Sequence, residues 1–526
     1  MGGKSWQMHG LTVSAVSDIN SMDYDLLVII TLPNTPPPQA LQNFIAAAKQ
    51  LDDGLDKQVS VLPCPQVSGQ RLVVSPIAAL TAYDDVRSVY EASLAGMQRA
   101  VTSGARRPVL ALQPNQIWPN AELVALLGAL EALYVPLQIR ESFPALAPHK
   151  LLALGVYSEG ISVPLERIIH EAVAMEIARG VARDVGGADP ERMTPQAAAT
   201  LLAAEFAGSD VSVRVLDDTT AIAREYPLMA AVNRAAASVD RHRGCVIFLE
   251  YAPQNHDRTV MMVGKGVTYD TGGCNIKAGG VMYGMSHDKC GAAAVAAFLK
   301  ACTLLKPNIK VVAALGMVRN SIGEEAYVAD ELIKSRLGLA VRVGNTDAEG
   351  RMVMGDLLAE MATRAKAEKN PHLYTVATLT GHVVRAYGVG YTAAMDNHVA
   401  RRFAHSQALQ YAGERVGDMI EVSTIRREDL ARHRGKVAGD QVHQADNQSS
   451  SVTPRGHQAP AAFLLLVSGL DTAPLPYTHL DVAGAAGCMP HQPTAAPLLA
   501  LAAFYGLLQT TQTRAPCTHV CNAEVT

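Results

Sequence analysis

NTDAEGR, Asn345 to Arg351, is the stretch that decides how this chain is read. It sets Asp347 and Glu349 two residues apart, with Arg351 two further on. In an extended segment, side chains two apart share one side. Two carboxylates and a guanidinium can then converge on one spot. Crowded carboxylates repel unless a cation sits between them. An arginine beside them offers a planar fork to an anion. The first expectation is a metal site with an anion clamp. The plainer alternative is a polar loop in which Asp347 caps the following helix. Helical periodicity does follow, with Met354, Leu357, Leu358 and Met361 on one stripe. The N-terminus of that helix would add partial positive charge beside Arg351.

Upstream, VGKGVTYDTGGCNIKAGGVMYGMSHDKCGAAA runs from Val263 to Ala294. It supplies Lys265, Asp270, Lys277 and Asp288, threaded through seven glycines from Gly264 to Gly284. Glycines permit tight turns and close backbone approach. Each polar residue has a plain reading. Lys265 could end a strand in solvent, Asp270 could close an Asx turn before Gly272, and Asp288 could cap the Ala-rich helix that follows. Taken together beside NTDAEGR, these separate readings explain less than one shared site does.

On these motifs the chain resembles the leucyl aminopeptidase family, the two-metal cytosolic exopeptidases, and is closest to its leucyl-like branch, where DTGG replaces DSGG. NTDAEGR and GKGVTYDTGG, the latter with Lys277 four residues on, are specific; ATLTG at Ala377–Gly381 and HLDVAG at His479–Gly484 match more weakly. The resemblance covers roughly Leu165 onward. It implies that Asp270 and Glu349 bridge two divalent cations, that Asp347 completes the first metal site, and that Lys265 and Asp288 complete the second. It further implies that Lys277 lies beside the reacting carbonyl and that Arg351 holds a bicarbonate acting as general base. Met285, Thr378 and Ala483 would line the side-chain pocket and favour an apolar first residue. The family is hexameric, a dimer of trimers, and spacing adds nothing to that.

The residue types suit this chemistry. Oxygen ligands without His or Cys suit zinc, manganese or magnesium, with cobalt also admissible. Lys265 can be a ligand only when neutral, so its pKa is expected to fall under burial and two nearby cations. Paired cations, typically ~3.5–4 Å apart, stabilise a tetrahedral intermediate, and Lys277 supplies charge where an oxyanion develops. Asp288 is followed by Lys289 and Cys290, where the family more often has Met and Gly. Cys290 reads as a small buried residue rather than a redox-sensitive thiol. His287 is not expected to be a ligand, because the matched ligands fill both sites. His479 with Asp481 reads as a strand end shaping the pocket.

Composition fits an enzyme with a large core: 526 residues, 49% hydrophobic and 18% charged. Lys+Arg 45 against Asp+Glu 49 leaves no basic surplus to attract nucleic acid. Eight cysteines are too sparse for a disulfide framework. Cys517 and Cys521 lack a second pair and read as part of a disordered tail. Trp6 spoils a myristoylation pattern, and no apolar run reaches the ~18 residues of a membrane span. The expected location is the cytoplasm.

Apolar runs at Leu26–Leu32, Arg71–Ile77, Pro108–Leu112 and Leu151–Tyr157 read as strands of an α/β layer. Leu165 to Val181 has an amphipathic helical pattern, with Pro164 in its first turn. Val211–Leu216, Cys245–Tyr251, Thr259–Val263, Val311–Leu315 and Tyr374–Leu379 read as buried strands, and Ala495–Leu508 as a buried helix. Asp446–Pro460 reads as a mobile surface loop near the site mouth. The expected fold is α/β in two domains: residues 1–160 form an α/β domain (macro-like, by the resemblance), 161–195 a connecting helix, and 196–526 a di-metal peptidase domain. In the last, a mixed, mostly parallel sheet carries the site at its strand ends. The leading function is an aminopeptidase that removes N-terminal leucine or other apolar residues from peptides. The alternatives are a narrow dipeptidase of thiol or peptide turnover and a non-enzymatic hexameric scaffold or regulator; the intact constellation disfavours the last.

Overall fold

The computed structural model describes residues 4–509 apart from residues 34, 116, 149 and 150. Cys517 and Cys521 lie outside the described residues. A seven-stranded sheet occupies the N-terminal part, in the order Ser5–Met8, Leu11–Val16, Ala153–Ser158, Pro108–Leu112, Leu26–Thr31, Arg71–Pro76, Ser60–Pro63. Its inner pairs are parallel and its two edge pairs antiparallel. The second sheet has eight strands in the order Ile420–Thr424, Thr392–Asp396, Tyr477–Asp481, Pro371–Ala377, Thr259–Asp270, Lys310–Asn320, Cys245–Tyr251, Val211–Leu216. Its central pairs are parallel, and antiparallel strands join toward both edges. The two-domain α/β architecture with a mixed, mostly parallel second sheet is therefore as expected.

The long strand Thr259–Asp270 explains why this sheet must be covered twice. Its side chains alternate between two cores. Val260 and Met262 pack with the helix Cys290–Leu305, while Met261 and Val263 pack with the helices Glu349–Ala365 and Gln458–Ser468. A strand buried on both faces shows no polar alternation, and this one has none before Lys265. By contrast, Val211–Leu216 is not the buried strand expected: it is the sheet edge, and Val211 is its only buried residue.

The helix Leu165–Gly187 packs on the helix Ala121–Glu131 of the N-terminal layer and on Cys290–Leu305 of the second. The expected amphipathic stripe is wrong, because this helix is covered on most sides. Even Glu176, Arg179 and Arg183 are buried, in an ion-pair network with Glu131. Pro164 stands at the N-cap rather than in the first turn. The C-terminal helix is shorter than expected, Leu498–Phe504, with Pro497 fixing its start. Helix Gln458–Ser468 takes up the end of the stretch read as a loop. A small third sheet pairs Ala340–Arg342 with Leu332–Lys334 and with Val442–His443. No helix among the described residues is long and apolar enough to cross a membrane.

Candidate metal centre

The C-terminal ends of the parallel strands carry the chemistry. Lys265 lies within Thr259–Asp270, and Asp270 ends it beside Asn320 of the neighbouring strand. The Gly272 N–H and Asn320 Nδ2 both donate to Asp270 Oδ1, at 2.9 and 2.7 Å. The Asx turn is thus real, and it leaves Asp270 Oδ2 facing the site. Gly272 takes φ +88°, and a Cβ there would meet the Asn275 carbonyl oxygen at 2.4 Å. Only glycine closes this turn.

The NTDAEGR segment is not extended. It turns into the helix Glu349–Ala365, whose N-cap is Ala348 with no side-chain cap. Asp347 is therefore free of the capping role, and it meets Glu349 because the turn feeds the first helical turn. Thr346 anchors the turn: its Oγ1 donates to the Gly272 carbonyl, and its carbonyl accepts from Asn320 Nδ2 and Tyr327 OH. Asn275 Oδ1 accepts from the Thr346 N–H at 2.8 Å. Asn320, Asn275 and Tyr327 were not picked out from the sequence. The one available signal was Asn320, a polar residue ending an apolar strand next to the site.

Asp270, Asp347 and Glu349 can each place an oxygen within 4.8 Å of the others'. Lys277 Nζ stands 3.0 Å from Asp270 Oδ2 and 2.6 Å from Asp347 Oδ1. Lys265 Nζ stands 2.8 Å from both Asp288 Oδ1 and Glu349 Oε1, and donates to the Thr378 carbonyl. Burial, then repulsion from Asp270, pushes the Asp347 carboxyl up to about 7. The same two causes raise Glu349, and burial raises Asp288 despite Lys265. The expected fall of Lys265 concerns a site holding two cations; without them the balance runs the other way. Burial does pull it down, but Asp288, Glu349 and Asp270 outweigh burial and hold the ammonium above its ordinary range. Lys265 could become a ligand only once a cation takes over those carboxylates.

The donor set fits divalent cations. Asp288 Oδ2 is buried and accepts no hydrogen bond. Asp347 Oδ1 and Glu349 Oε1 likewise accept none in line, although ammonium groups stand beside them. Buried carboxylate oxygens with spare lone pairs suit hard cations. Asp288 does not cap the helix Cys290–Leu305, whose N-cap is Lys289; Thr378 Oγ1 donates to it at 2.8 Å instead. Arg351 is buried, and burial lowers its guanidinium to about 10. Its Nη1 donates to the Gln444 carbonyl at 2.9 Å, and its Nε has no acceptor. Arg351, Asp347 and Glu349 line one cavity of about 50 Å³, with Ser449 and Ser450 at its rim. The loop after Asp446 thus borders this cavity. A larger apolar cavity of about 310 Å³ lies elsewhere, between the N-terminal layer and the helix Leu165–Gly187. The carboxylates, not the cavity size, mark the site.

Other expected residues sort plainly. His287 bonds the Gly487 carbonyl through Nδ1 and stays out of the cluster. His479 is fully buried against Thr375, and burial lowers it to about 3. Asp481 accepts from the Leu379 and Ala483 N–H groups and from Thr380 Oγ1, so it fixes the 378–381 turn. Burial pushes the Cys290 thiol up to about 12, which leaves it unreactive. Met285 sits on the turn just before Asp288.

The catalytic-domain model of the cytosol aminopeptidase family matches residues 180–501. The chain belongs to the cytosol aminopeptidase family. A Caenorhabditis elegans protein assigned as an aminopeptidase is 43% identical over 446 residues, 83% of this chain and 85% of that one. Proteins assigned as cytosol aminopeptidases are 30% identical in Metamycoplasma salivarium, over 64% of this chain and 61% of that one, and 32% in Leifsonia xyli, over 73% and 74%. Among solved structures, the bottromycin maturation enzyme BotP in complex with Mn shares the fold, with TM-score 0.76 at 23% identity over 91% of this chain and 98% of that one. Membership makes this aminopeptidase a peptide hydrolase and implies metal-dependent hydrolysis of peptide N-termini.

Proposed function

We propose that the enzyme removes leucine and other apolar N-terminal residues from short peptides, using two divalent cations, manganese or zinc foremost. The observation that carries this is the convergence of Asp270, Asp347 and Glu349 beside Lys277, with Lys265 and Asp288 adjoining. Asp270 and Glu349 would be shared between the two cations; Asp347 would help hold one, and Lys265 with Asp288 the other. When bound, the cations would polarise the scissile carbonyl and lower the pKa of water. Lys277, whose Nζ stands beside Asp270 and Asp347, would supply positive charge where an oxyanion develops. Arg351, a buried guanidinium with an unused Nε–H, favours a small anion such as bicarbonate in the cavity it lines, and that anion would accept the proton of the attacking water. Thr378 and Ala483, hydrogen-bonded to Asp288 and Asp481, would line the pocket for the first side chain together with Met285. A cytoplasmic hexamer, with domains at 1–160 and 196–526 joined through 161–195, completes the reading.

The test is release of a leucyl reporter by the purified protein after chelation and after adding back manganese, zinc, cobalt or magnesium. Activity that disappears and returns with metal supports the proposal. Full turnover in the chelated protein overturns it. Metal-dependent turnover of a single dipeptide, without the leucyl reporter, would replace it with the narrow dipeptidase.

A further inference from the structure

Gln444 lies outside every motif, yet its fully buried side chain holds the turn that presents Asp347 and Glu349. Its Oε1 accepts from the Gly344 and Asn345 N–H groups, both at 3.0 Å. Its Nε2 donates to the Asn345 carbonyl at 2.7 Å and to the Ala348 carbonyl at 2.9 Å. A primary amide has two donors and two acceptor lone pairs, and all four are spent on this one turn. The Gln444 backbone carbonyl takes the Arg351 Nη1. One residue thus fixes the segment from Gly344 to Ala348 and the aim of Arg351.

The approach is close. The strand Val442–His443 runs parallel to Ala340–Arg342, and beyond it the two backbones meet so tightly that a Cβ on Gly344 would lie 1.8 Å from the Ala445 carbonyl oxygen. The chemistry of the holder also matters. Asp347 and Glu349 are pushed together against their mutual repulsion, so the turn needs a restraint. A carboxylate there would add to the repulsion. An ammonium or guanidinium would compete with cations for the same oxygens. A neutral amide restrains the turn without adding charge.

We infer that Gln444 is a positioning residue that sets the spacing of Asp347 and Glu349 and the direction of Arg351, and so tunes cation affinity at the site. The part about cations rests on the proposed function; the part about the turn does not. The test uses the full-length protein with Gln444→Met, which keeps the length and removes all four hydrogen bonds, and Gln444→Glu, which keeps the shape and the Oε1 contacts but loses the donors. Three quantities are read: thermal midpoint, amide hydrogen exchange of the peptide spanning 344–349, and the manganese dissociation constant by calorimetry. The expected result is exchange at least tenfold faster in that peptide, with the remaining peptides unchanged, and manganese binding about 10–100-fold weaker, the usual penalty for losing support behind a ligand. Gln444→Glu, whose carboxylate would face the Asn345 and Ala348 carbonyls and add to the repulsion, should loosen the turn at least as much as Gln444→Met. Unchanged exchange and unchanged manganese affinity in a folded variant would overturn the inference. So would faster exchange throughout the molecule, which would mean a general structural role. If neither variant folds, Gln444→Asn, a neutral amide one methylene shorter, carries the test by the same readings. If the parent binds neither manganese nor zinc yet the local exchange still rises, the positioning role stands and the proposed function fails.

Discussion

Gly350→Ala probes the site through packing alone. Gly350 is the second residue of the helix Glu349–Ala365 and is buried. A Cβ there would lie 2.6 Å from Leu379 Cδ1, 2.7 Å from Lys265 Cε and 2.8 Å from Lys265 Cδ. Ordinary carbon contact begins near 3.5 Å, so the Lys265 stem must retreat by roughly 0.8 Å. Alanine gains ~1 kcal/mol of helix propensity over glycine, against about 1–3 kcal/mol for overpacking. The net loss of stability is then about 0–2 kcal/mol, and the protein stays folded. Function should suffer far more, because Lys265 Nζ sits 2.8 Å from both Asp288 and Glu349, and a displacement near 1 Å at a reacting centre costs about 10²-fold. Leucyl-reporter kcat/KM and calorimetric manganese affinity are the assays. Gly355→Ala is the control: in the same helix, its Cβ would meet Val467 Cγ2 at 2.9 Å and Leu228 Cδ1 at 3.2 Å, away from the site. Gly350→Ala with full activity, or Gly355→Ala losing as much, would refute the argument.

Other expectations follow from the same geometry. Lys277→Met should cut turnover by about 10²-fold or more while manganese binding persists in calorimetry; loss of both would assign Lys277 a structural role. Asp347→Ala should abolish metal-dependent turnover with circular dichroism unchanged, since its side chain caps no helix. Stability should change little on mild acidification, because two opposing sets of groups titrate. Burial lowers His405 and His457 to about 4 and His433 and His479 to about 3. Below an ordinary histidine pKa of about 6.5, the unfolded chain therefore binds protons that the native state refuses, at a cost of about 2 kcal/mol per histidine by pH 5. Asp356, Asp418 and Asp481, raised by burial to about 6, act in the opposite sense: the native state takes their protons first, gaining about 1.4 kcal/mol each by pH 5. Asp347, raised to about 7, adds about 2.7 kcal/mol in that same opposing sense, and Glu349 and Asp288 are raised too. The two senses nearly cancel, so the urea midpoint should change little between pH 7.5 and pH 5.0, and a large drop would contradict this balance.

Much of the fold was legible because long apolar runs can do little else. Cys245–Tyr251 and Pro108–Leu112 occur at the residues read from the sequence. The strand starting at Thr259 runs on to Asp270, since glycine and lysine do not announce a strand on their own. The covered helix Leu165–Gly187 was misread because apolar spacing cannot show that its charged residues are paired with Glu131 and one another rather than wet. At the site, the charged residues were legible: a short motif fixes their spacing, and opposite charges in a glycine-rich run have few uses. The neutral residues that hold them were not. Gln444 and Asn275 act through hydrogen bonds across 99 and 71 positions of sequence, and amides are common enough that nothing local marks them.

The distance from Asn345 to Gln444 also has a consequence in time. Chains grow at roughly 5–20 residues per second, so the turn carrying Asp347 waits on the order of 5–20 s before its template has been made. The strands Thr259–Asp270, Lys310–Asn320 and Pro371–Ala377 and the helices Cys290–Leu305 and Glu349–Ala365 are made by the end of that interval, whereas the turn carrying Asp347 cannot yet take its final shape. During synthesis, most of the central sheet is made before the turn carrying Asp347 and Glu349 can be held in place.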